Sequence, residues 1–286
     1  MIAIRRCDEV SAEQIYEAFK EGFSDYIIQT TIGKDDFLKI FFGAEGNSLA
    51  TSFLAFDQNK PVGLVLGGIR LYDHTLTMRC GALCVHPEYR RQGISSALMK
   101  HHEQAARLHA CKQLYLEVIA GNEPALAFYE KWGYCRMYDL RYFTLREAQA
   151  WAADKQNKNC QELDLAQAWD FFNNSQHCNW QNSLESLKQI AGLKAYGVYE
   201  KTELAGMVIV QERGRIFHLT TAMQHRHQGI ARSLLAHVIS VHQPTQLQIA
   251  FANNASLEGF IRKMGFDADK LAQYELYRPL KENEHA

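Results

Sequence analysis

The stretch HPEYRRQGISSALMKH (86–101) recurs in altered form as MQHRHQGIARSLLAHV (223–238), with Gly93 and Gly229 136 residues apart. A second block, NEPALAFYEKWGY (122–134), recurs as NASLEGFIRKMGF (254–266), 132 residues later. A third block lies upstream, where FDQNKPVGLVLG (56–67) matches the pattern of YEKTELAGMVIV (199–210). Blocks that recur in one order at this spacing indicate a duplicated domain of about 135 residues rather than a short-period solenoid.

Hydrophobic periodicity predicts the same order of elements in both copies. In the first copy, Ser11 is expected to cap a helix that runs to about Phe23, and the helix from Gly93 is expected to bury Ile94, Leu98, Ala105 and Leu108. The other predicted elements are strands at 2–6, 52–56, 62–72, 76–85, 114–119 and 134–145, and helices at 35–42 and 123–132. The polar stretch at 150–158 predicts a linker between an N-terminal domain at 1–149 and a C-terminal domain at 159–286.

Composition limits the classes of function. The 286 residues are 47% hydrophobic and 22% charged with a formal net charge of −1, which is typical of a soluble globular protein and argues against nucleic-acid or polybasic membrane binding. No secretory pattern or membrane-length apolar run is present, so a cytoplasmic protein is expected. The seven cysteines form no CxxC pair and the histidines no HExxH pattern, which predicts reduced thiols and no metal site.

The segment around Gly93 has the pattern of an anion-binding loop. An apolar strand runs into RRQGIS (90–95) and then directly into an amphipathic helix. Unpaired N–H groups at a helix N-terminus suit a pyrophosphate, glycine permits close approach, and arginines add charge. The P-loop and dinucleotide-binding patterns are absent from the sequence, which disfavours a nucleotide-binding module. A simple turn is the alternative explanation for this loop.

RRQGIS matches the pattern Gln/Arg-x-x-Gly-x-Gly/Ala except at Ser95, and RHQGIA (226–231) matches it in full. Together with LEVIAGNEPALAFYEKWGY (116–134), these motifs resemble the GNAT superfamily of N-acetyltransferases, in a tandem form. The resemblance implies an α/β fold (an α+β mixed sheet flanked by helices) in two tandem acyl-CoA N-acyltransferase domains. It also implies a sheet that splays between its fourth and fifth strands to hold acetyl-CoA, with no metal.

The resemblance assigns residues to acetyl-CoA in each copy. In the first copy the backbone of Cys84 and Val85 would pair with the pantetheine arm, and a backbone N–H near Val85 would stabilise the oxyanion. The remaining expected contacts there are Arg90, Arg91, Gln92, Gly93, Ile94, Ser95, Ser96 and Asn122. Asn122 is alternatively a helix cap, and both roles are compatible. The second copy offers a possible second set: Thr221, Arg226, His227, Gln228, Gly229, Ile230, Ala231 and Asn254.

The same resemblance implies that an amine attacks the thioester directly. Tyr129 stands where the family places its general acid, and Glu117 resembles the glutamate of protein N-terminal acetyltransferases that deprotonates the amine through water. Tyr129 is alternatively a packing residue beside Phe128, Glu117 a solvent-facing or salt-bridged residue, and His86 another titratable group near the loop.

The second copy has lost both catalytic candidates. It carries Ile261 in place of Tyr129, and Gln248-Ile249-Ala250 contains no carboxylate where Glu117 stands. The sequence therefore predicts an N-terminal catalytic domain and a degenerate C-terminal domain.

Several alternatives stay open at this point. The donor could be another acyl-CoA, or the protein a non-catalytic acyl-CoA sensor or interaction protein. The acceptor could be a small amine, an aminoglycoside, a peptide amine or a lysine side chain. Its wall is expected at 19–33, whose aromatics Phe19, Phe23 and Tyr26 fit a core better than a binding site. Two fused copies can mimic a homodimer in one chain, which favours a monomer.

Overall fold

The structure is a computed structural model that describes residues 1–28, 32–151, 158–172 and 177–281. The strands are β1 (Ile2–Arg6), β2 (Ser48–Asp57), β3 (Lys60–Tyr72), β4 (Thr75–Val85), β5 (Gln113–Ile119), β6 (Cys135–Leu145), β7 (Cys160–Leu163), β8 (Leu193–Glu200), β9 (Glu203–Gln211), β10 (Arg215–Thr221), β11 (Leu247–Ala252) and β12 (Asp267–Pro279). The helices are α1 (Ala12–Gly22), α2 (Lys34–Lys39), α3 (Ile94–Leu108), α4 (Glu123–Lys131), α5 (Ala148–Trp151), α6 (Leu165–Phe172), α7 (Leu184–Leu187), α8 (Ile230–His242) and α9 (Ala255–Lys263). Helices therefore alternate with strands in both copies, as the sequence predicts.

The chain divides into two compact units. Unit 1 contains residues 1–137 and 274–286, and its strands follow the order β1-β2-β3-β4-β5 and then the end of β12. The pairs β1/β2, β2/β3 and β3/β4 are antiparallel, whereas β4/β5 is parallel. One face of this sheet buries the apolar stripe of α3, and the other buries α1 and α2 around the fully buried Phe37. The sheet of unit 1 is thus mixed and covered by helices on both faces.

Unit 2 contains residues 138–273, and its strands follow the order β6-β11-β10-β9-β8-β7. Here β10 and β11 are parallel, and their neighbours pair antiparallel. Helix α8 buries Leu234, Leu235 and Val238 on one face of this sheet, and α6 covers the other. Unit 2 therefore repeats the mixed arrangement of unit 1 with a parallel pair at the corresponding place.

The units do not coincide with the predicted division into 1–149 and 159–286. Residues Leu140–Leu145 of β6 pair with β11, and Phe143 is buried in the core of unit 2. Leu276 and Leu280, at the end of the chain, are buried in the core of unit 1. Most of the predicted linker, residues 152–157, lies outside the described residues. The boundary between the two sequence copies stays a prediction.

Local signals account for most element ends. Ser11 forms a capping box with Gln14: its hydroxyl accepts from the Gln14 N–H at 3.3 Å, and Gln14 Oε1 accepts from the Ser11 N–H at 3.2 Å. The expectation that Leu108 is buried is wrong, because its side chain is 86% exposed. Leu108 is the last residue of α3, and the buried stripe of that helix ends one turn earlier, at Ala105 and Ala106.

Candidate functional site

The parallel strands β4 and β5 separate partway along their length. Their pairing runs from Thr77 opposite Gln113 to Cys80 opposite Leu116 and then stops, although β4 continues to Val85 and β5 to Ile119. Gly81 is the unpaired residue of a β-bulge against β3, immediately after the last pair. This opening, here called the fork, begins at Gly81 and Glu117. It leaves the β5-facing edge of Ala82–Val85 unpaired by β5, as the resemblance requires for a bound pantetheine arm.

The loop after β4 has the same backbone form in both copies. Arg91 and Gly93 have left-handed φ values of 63° and 81°, and His227 and Gly229 have the same two values. Consecutive turns of this kind direct backbone N–H groups into one concavity, which is a favourable site for an anion. No described atom lies within 4 Å of the place where a Cβ on Gly93 would stand, so the space beside it is open. Ser95 and Ser96 lie in the first turn of α3 behind this concavity.

The polar side chains of the first loop hold its shape. Arg90 forms a bidentate ion pair with Asp25 at 2.6 and 2.7 Å and donates to the Val85 carbonyl at 3.2 Å. Gln92 donates to the Glu88 carbonyl at 3.3 Å, and Gln228 makes the corresponding bond to the Gln224 carbonyl. Arg90 therefore ties the loop to the segment after α1, instead of standing free as a point charge.

Asn122 acts as a helix cap, the alternative role considered for it. Its Oδ1 accepts from the Ala125 N–H at 3.3 Å at the start of α4, and its side chain also hydrogen-bonds Tyr26. Asn254 caps α9 in the same way, by accepting from Leu257 at 2.9 Å. Tyr26 thus reaches the mouth of the fork, whereas Phe19 is buried core, as expected for that segment.

Tyr129 lies on α4 over the last paired residue of β4. Its side chain is buried, its ring packs edge-on against Phe128 and Tyr134, and its hydroxyl interacts with the Cys80 thiol. Burial raises the pKa of Tyr129 well above its usual value, and Cys80 adds to this effect. The phenol is therefore protonated at neutral pH and available as a proton donor at the fork.

Glu117 lies on the opposite face of the sheet from Tyr129, in a buried ion-pair cluster. Its Oε2 accepts from Arg79 Nε at 2.8 Å, and Arg79 Nη1 also donates to Glu45 Oε2 at 2.5 Å. The Arg79 and Glu117 side chains are only 4% and 3% exposed. Burial raises the pKa of Glu117, and the positive charge of Arg79 opposes that rise. Glu117 is thus the salt-bridged residue that the sequence left as one alternative. Its Oε1 is buried and has no hydrogen-bond partner within the described part of the chain.

The two catalytic candidates therefore flank one point of the sheet. Cys80, Leu116 and Tyr129 belong to the core on the α3 face, whereas Glu117 belongs to the cluster on the other face. The fork opens at the next step along both strands. A thioester carbonyl held in the fork would meet Tyr129 from one side and Glu117 from the other.

Unit 2 contains an open cavity of about 640 Å³ at its own loop. Most of the predicted second set lines this cavity: Thr221, Arg226, His227, Gly229, Ile230, Ala231 and Asn254. Lys263 on α9 adds a positive charge that the sequence analysis did not select. A volume of this order is in the range of small-molecule and cofactor sites.

A side-chain amide closes the fork of unit 2. Pairing of β10 with β11 stops after Ile216 opposite Ile249, as it stops in unit 1 after Cys80 and Leu116. Asn182 Nδ2 then donates to the carbonyls of Phe217 on β10, at 3.1 Å, and Ala250 on β11, at 3.4 Å. This amide bridges the two strands where Gly81 and Glu117 flank the opening in unit 1. The described part of unit 2 therefore combines an open loop cavity with a bridged fork.

Sequence reasoning missed the residues that position Glu117. Arg79 is the lone charge in the apolar strand TLTMRCGALCV, and Glu117 is the lone charge in QLYLEVI. Opposite charges that stand alone on neighbouring buried strands are expected to pair, because an unpaired buried charge is costly. That signal was available, whereas Glu45 comes from the segment before β2 and carried no comparable mark.

Two family models match the chain, the acetyltransferase (GNAT) family over residues 12–134 and the acetyltransferase (GNAT) domain over residues 167–276. Together these ranges cover most of the 286 residues. The chain belongs to the GNAT acetyltransferase family and contains two such domains in tandem.

Part of the chain is similar to curated N-alpha-acetyltransferases. N-alpha-acetyltransferase 30 of Schizosaccharomyces pombe is 33% identical over 95 residues, which are 32% of this chain and 63% of that protein. N-alpha-acetyltransferase MAK3 of Arabidopsis thaliana is 34% identical over 95 residues, 32% of this chain and 49% of that protein. The chain thus spans about half to just under two thirds of the length of these relatives.

Solved structures match the whole chain in fold. A tandem GNAT protein from the clavulanic acid biosynthesis pathway superposes with a TM-score of 0.67 at 15% identity, covering 99% of this chain and 100% of that one. This similarity establishes the tandem fold. Among the described residues, no helix has the length and apolar character that crossing a membrane requires, and no group of three or more metal-ligating side chains is found.

Proposed function

We propose that the protein transfers the acetyl group of acetyl-CoA to a primary amine, and that the N-terminal copy performs the reaction. The observation that carries this proposal is the fork of unit 1, where Tyr129 and Glu117 flank the first unpaired step of β4 and β5. The open space beside Gly93 and the left-handed turns of its loop fit a pyrophosphate there. Acetyl-CoA, when bound, supplies the thioester.

In this mechanism Glu117 accepts a proton from the acceptor ammonium, directly or through water, because only the neutral amine has a free lone pair. Burial raises the pKa of Glu117 towards that of a useful base. The amine bonds to the carbonyl carbon as the carbon–sulfur bond breaks, and Tyr129 gives its proton to the departing sulfur. The ammonium loses two protons overall: one restores Tyr129 and the other leaves through Glu117.

We take a peptide or protein α-amine as the leading acceptor class. The support is the similarity of 95 residues of this chain to N-alpha-acetyltransferases. A screen for thiol release should include a peptide with a free N-terminus, the same peptide with its N-terminus acetylated, and a small primary amine. Activity with the small amine but not with the free peptide would contradict this acceptor class.

Tyr134→Phe provides a matched control for Tyr129→Phe. Tyr134 is also buried and packs edge-on against Tyr129, with 5.7 Å between the ring centroids. Its hydroxyl has no hydrogen-bond partner in the described ranges. We expect Tyr129→Phe to lower kcat by about 10²–10⁴-fold, the range for general acid catalysis, and Tyr134→Phe to change it by less than about threefold. Equal losses in both variants, or none in Tyr129→Phe, would contradict the role of Tyr129.

For the C-terminal copy we propose acyl-CoA binding without transfer. The cavity of about 640 Å³ at Gly229 supports binding, while Ile261 and the strand-bridging Asn182 argue against chemistry there. Calorimetric titration of acetyl-CoA into Gly93→Trp should then retain one site, and the double variant with Gly229→Trp should retain none. A Gly93→Trp protein that is folded but binds nothing would contradict a second site.

A further inference from the structure

Asn47 is a buried polar residue at the fork with an unused acceptor. It lies in the segment between α2 and β2, is 5% exposed, and donates from Nδ2 to the Phe41 carbonyl at 2.8 Å. That bond fixes which way the amide points, so Oδ1 is directed away from Phe41. Oδ1 has no hydrogen-bond partner among the residues that the structure describes. A buried acceptor left unsatisfied is unfavourable, which marks this atom as one that needs an external donor.

The unused oxygen of Asn47 stands at the first open step of the fork. A Cβ built on Gly81 would lie 2.1 Å from Asn47 Oδ1, so the amide occupies the space beside the bulge. Gly81 follows the last paired residue of β4, and Glu117 follows its partner on β5. Glu117 Oε1, the second unused oxygen, therefore belongs to the residue at the same step of the fork. Gly81, Ala82 and Leu83 are partly exposed, which gives solvent access to this part of a central strand.

The charge around these atoms favours a cation. Arg79 contributes one positive charge between the two carboxylates of Glu45 and Glu117, so this three-residue cluster has one excess negative charge when ionised. Burial raises the pKa of Glu117 and the positive charge of Arg79 opposes that rise, while the carboxylates of Glu45 and Glu275 add smaller negative contributions at the same position. An ammonium group offers three N–H donors and one positive charge, and it would satisfy both oxygens and neutralise the excess.

The second copy provides an internal comparison. Asn182 lies 135 residues after Asn47, within the 132–136 spacing of the repeats, and it also meets the fork of its unit. There the amide turns its Nδ2 to the carbonyls of Phe217 and Ala250 and bridges the strands. The copy that lacks a counterpart of Glu117 thus uses its asparagine as a donor that closes the fork, whereas the first copy presents an oxygen.

We propose that Asn47 Oδ1 and Glu117 Oε1 form the recess that binds the ammonium group of the acceptor, with Asn47 as a positioning residue for the amine. This inference rests on the proposed function for its substrate, but the recess itself is defined by the two unpartnered oxygens. It predicts selectivity for primary ammonium groups, because a quaternary ammonium of the same charge has no N–H to donate.

Binding is tested without any acetyl transfer. Methylammonium chloride and tetramethylammonium chloride are titrated separately into the full chain at constant ionic strength, while NMR follows the Asn47 side-chain amide signal, identified by its absence in Asn47→Leu. We expect a saturable shift with methylammonium and none with tetramethylammonium. Equal shifts with both salts, or no shift with either, would overturn the proposal.

Kinetics with an acceptor peptide provide the second test. Asn47→Leu should raise the acceptor KM by about tenfold or more, the usual effect of losing a hydrogen bond to a charged group, and leave the acetyl-CoA KM unchanged. Asn47→Asp, which keeps an oxygen beside Gly81, should restore the acceptor KM. Gly81→Ala, whose methyl group would displace the Asn47 amide, should raise the acceptor KM in the same way. An unchanged acceptor KM in folded Asn47→Leu and Gly81→Ala would overturn the proposal.

The two tests separate the inference from the proposed function. A methylammonium-specific shift in a protein that acetylates no amine would support the recess and contradict the transferase activity. Acetyl transfer with an unmoved Asn47 signal would support the activity and contradict the recess.

Discussion

Acidification should destabilise each unit through a buried histidine. His102 on α3 is fully buried, neither ring nitrogen has a hydrogen-bond partner among the described residues, and burial lowers its pKa from 6.5 to about 4. Below pH 6.5 the unfolded chain binds a proton that the folded chain does not bind until about pH 4. The free energy of unfolding therefore falls as the pH falls through that window. Between pH 7 and pH 5 this linkage amounts to about 2 kcal/mol for one histidine.

His218 on β10 is the counterpart in unit 2. It is also buried with a pKa lowered to about 4 by burial, although the bond that its Nε2 donates to the Asn182 carbonyl at 2.8 Å opposes the shift. The two histidines thus have similarly lowered pKa values but differ in hydrogen bonding. At pH 7, His218→Leu should cost about 1–3 kcal/mol because it leaves the Asn182 carbonyl unsatisfied, whereas His102→Leu removes a polar group that already lacks partners and should cost less.

Denaturant unfolding at pH 7 and pH 5, monitored separately for the two units, measures these effects. Each leucine variant should remove about 2 kcal/mol of the pH dependence from the transition of its own unit and leave the other transition unchanged. A His102→Leu protein whose unfolding free energy depends on pH as the wild type's does would refute the assignment of this linkage to His102.

Three further substitutions test the fold around the site. Arg79→Leu should lower the free energy of unfolding, measured with denaturant, by about 3–5 kcal/mol, because it leaves Glu117 and Glu45 buried without their cation. The double variant Arg79→Leu/Glu117→Leu should recover part of that loss, because it also removes the buried Glu117 carboxylate. Asn122→Ala should cost about 1 kcal/mol through loss of the α4 cap; no change in its thermal midpoint would contradict the capping role. Gly214→Ala should lower the free energy of unfolding by about 2 kcal/mol or more, because Gly214 has a φ of +96° and an added Cβ would lie 2.1 Å from the Gln246 carbonyl oxygen. Gly259→Ala is the control, since Gly259 lies on α9 with open space around it, and it should be neutral or stabilising in the same thermal unfolding experiment.

Local sequence signals predicted the parts of the site that local conformation determines. Gly93 and Gly229 stand in matched left-handed turns before a helix, and Asn122 caps the next helix, because glycine and asparagine have preferences that hold within a few residues. The duplication was visible because both copies keep these turns and caps. Tyr129 was selected through the family resemblance of the same block.

Long-range pairing was beyond the sequence. Glu117 is held by Arg79, 38 residues earlier, and by the charge of Glu45, and these contacts depend on strand register and on the segment before β2. The sequence left open whether Glu117 faces solvent or a salt-bridge partner. The placement of the end of β12 in unit 1 likewise depends on strand pairing, which hydrophobic periodicity does not predict.

The most direct test of the central claim compares acetyl-CoA turnover in Gly93→Trp and Gly229→Trp. The two glycines are matched, since both have a φ of 81° at the start of an equivalent helix, so any strain from the substitution falls equally on the two copies. We predict that Gly93→Trp abolishes acetyl transfer while Gly229→Trp retains most of it. Transfer that survives Gly93→Trp and is lost in folded Gly229→Trp would contradict the assignment of catalysis to the N-terminal copy.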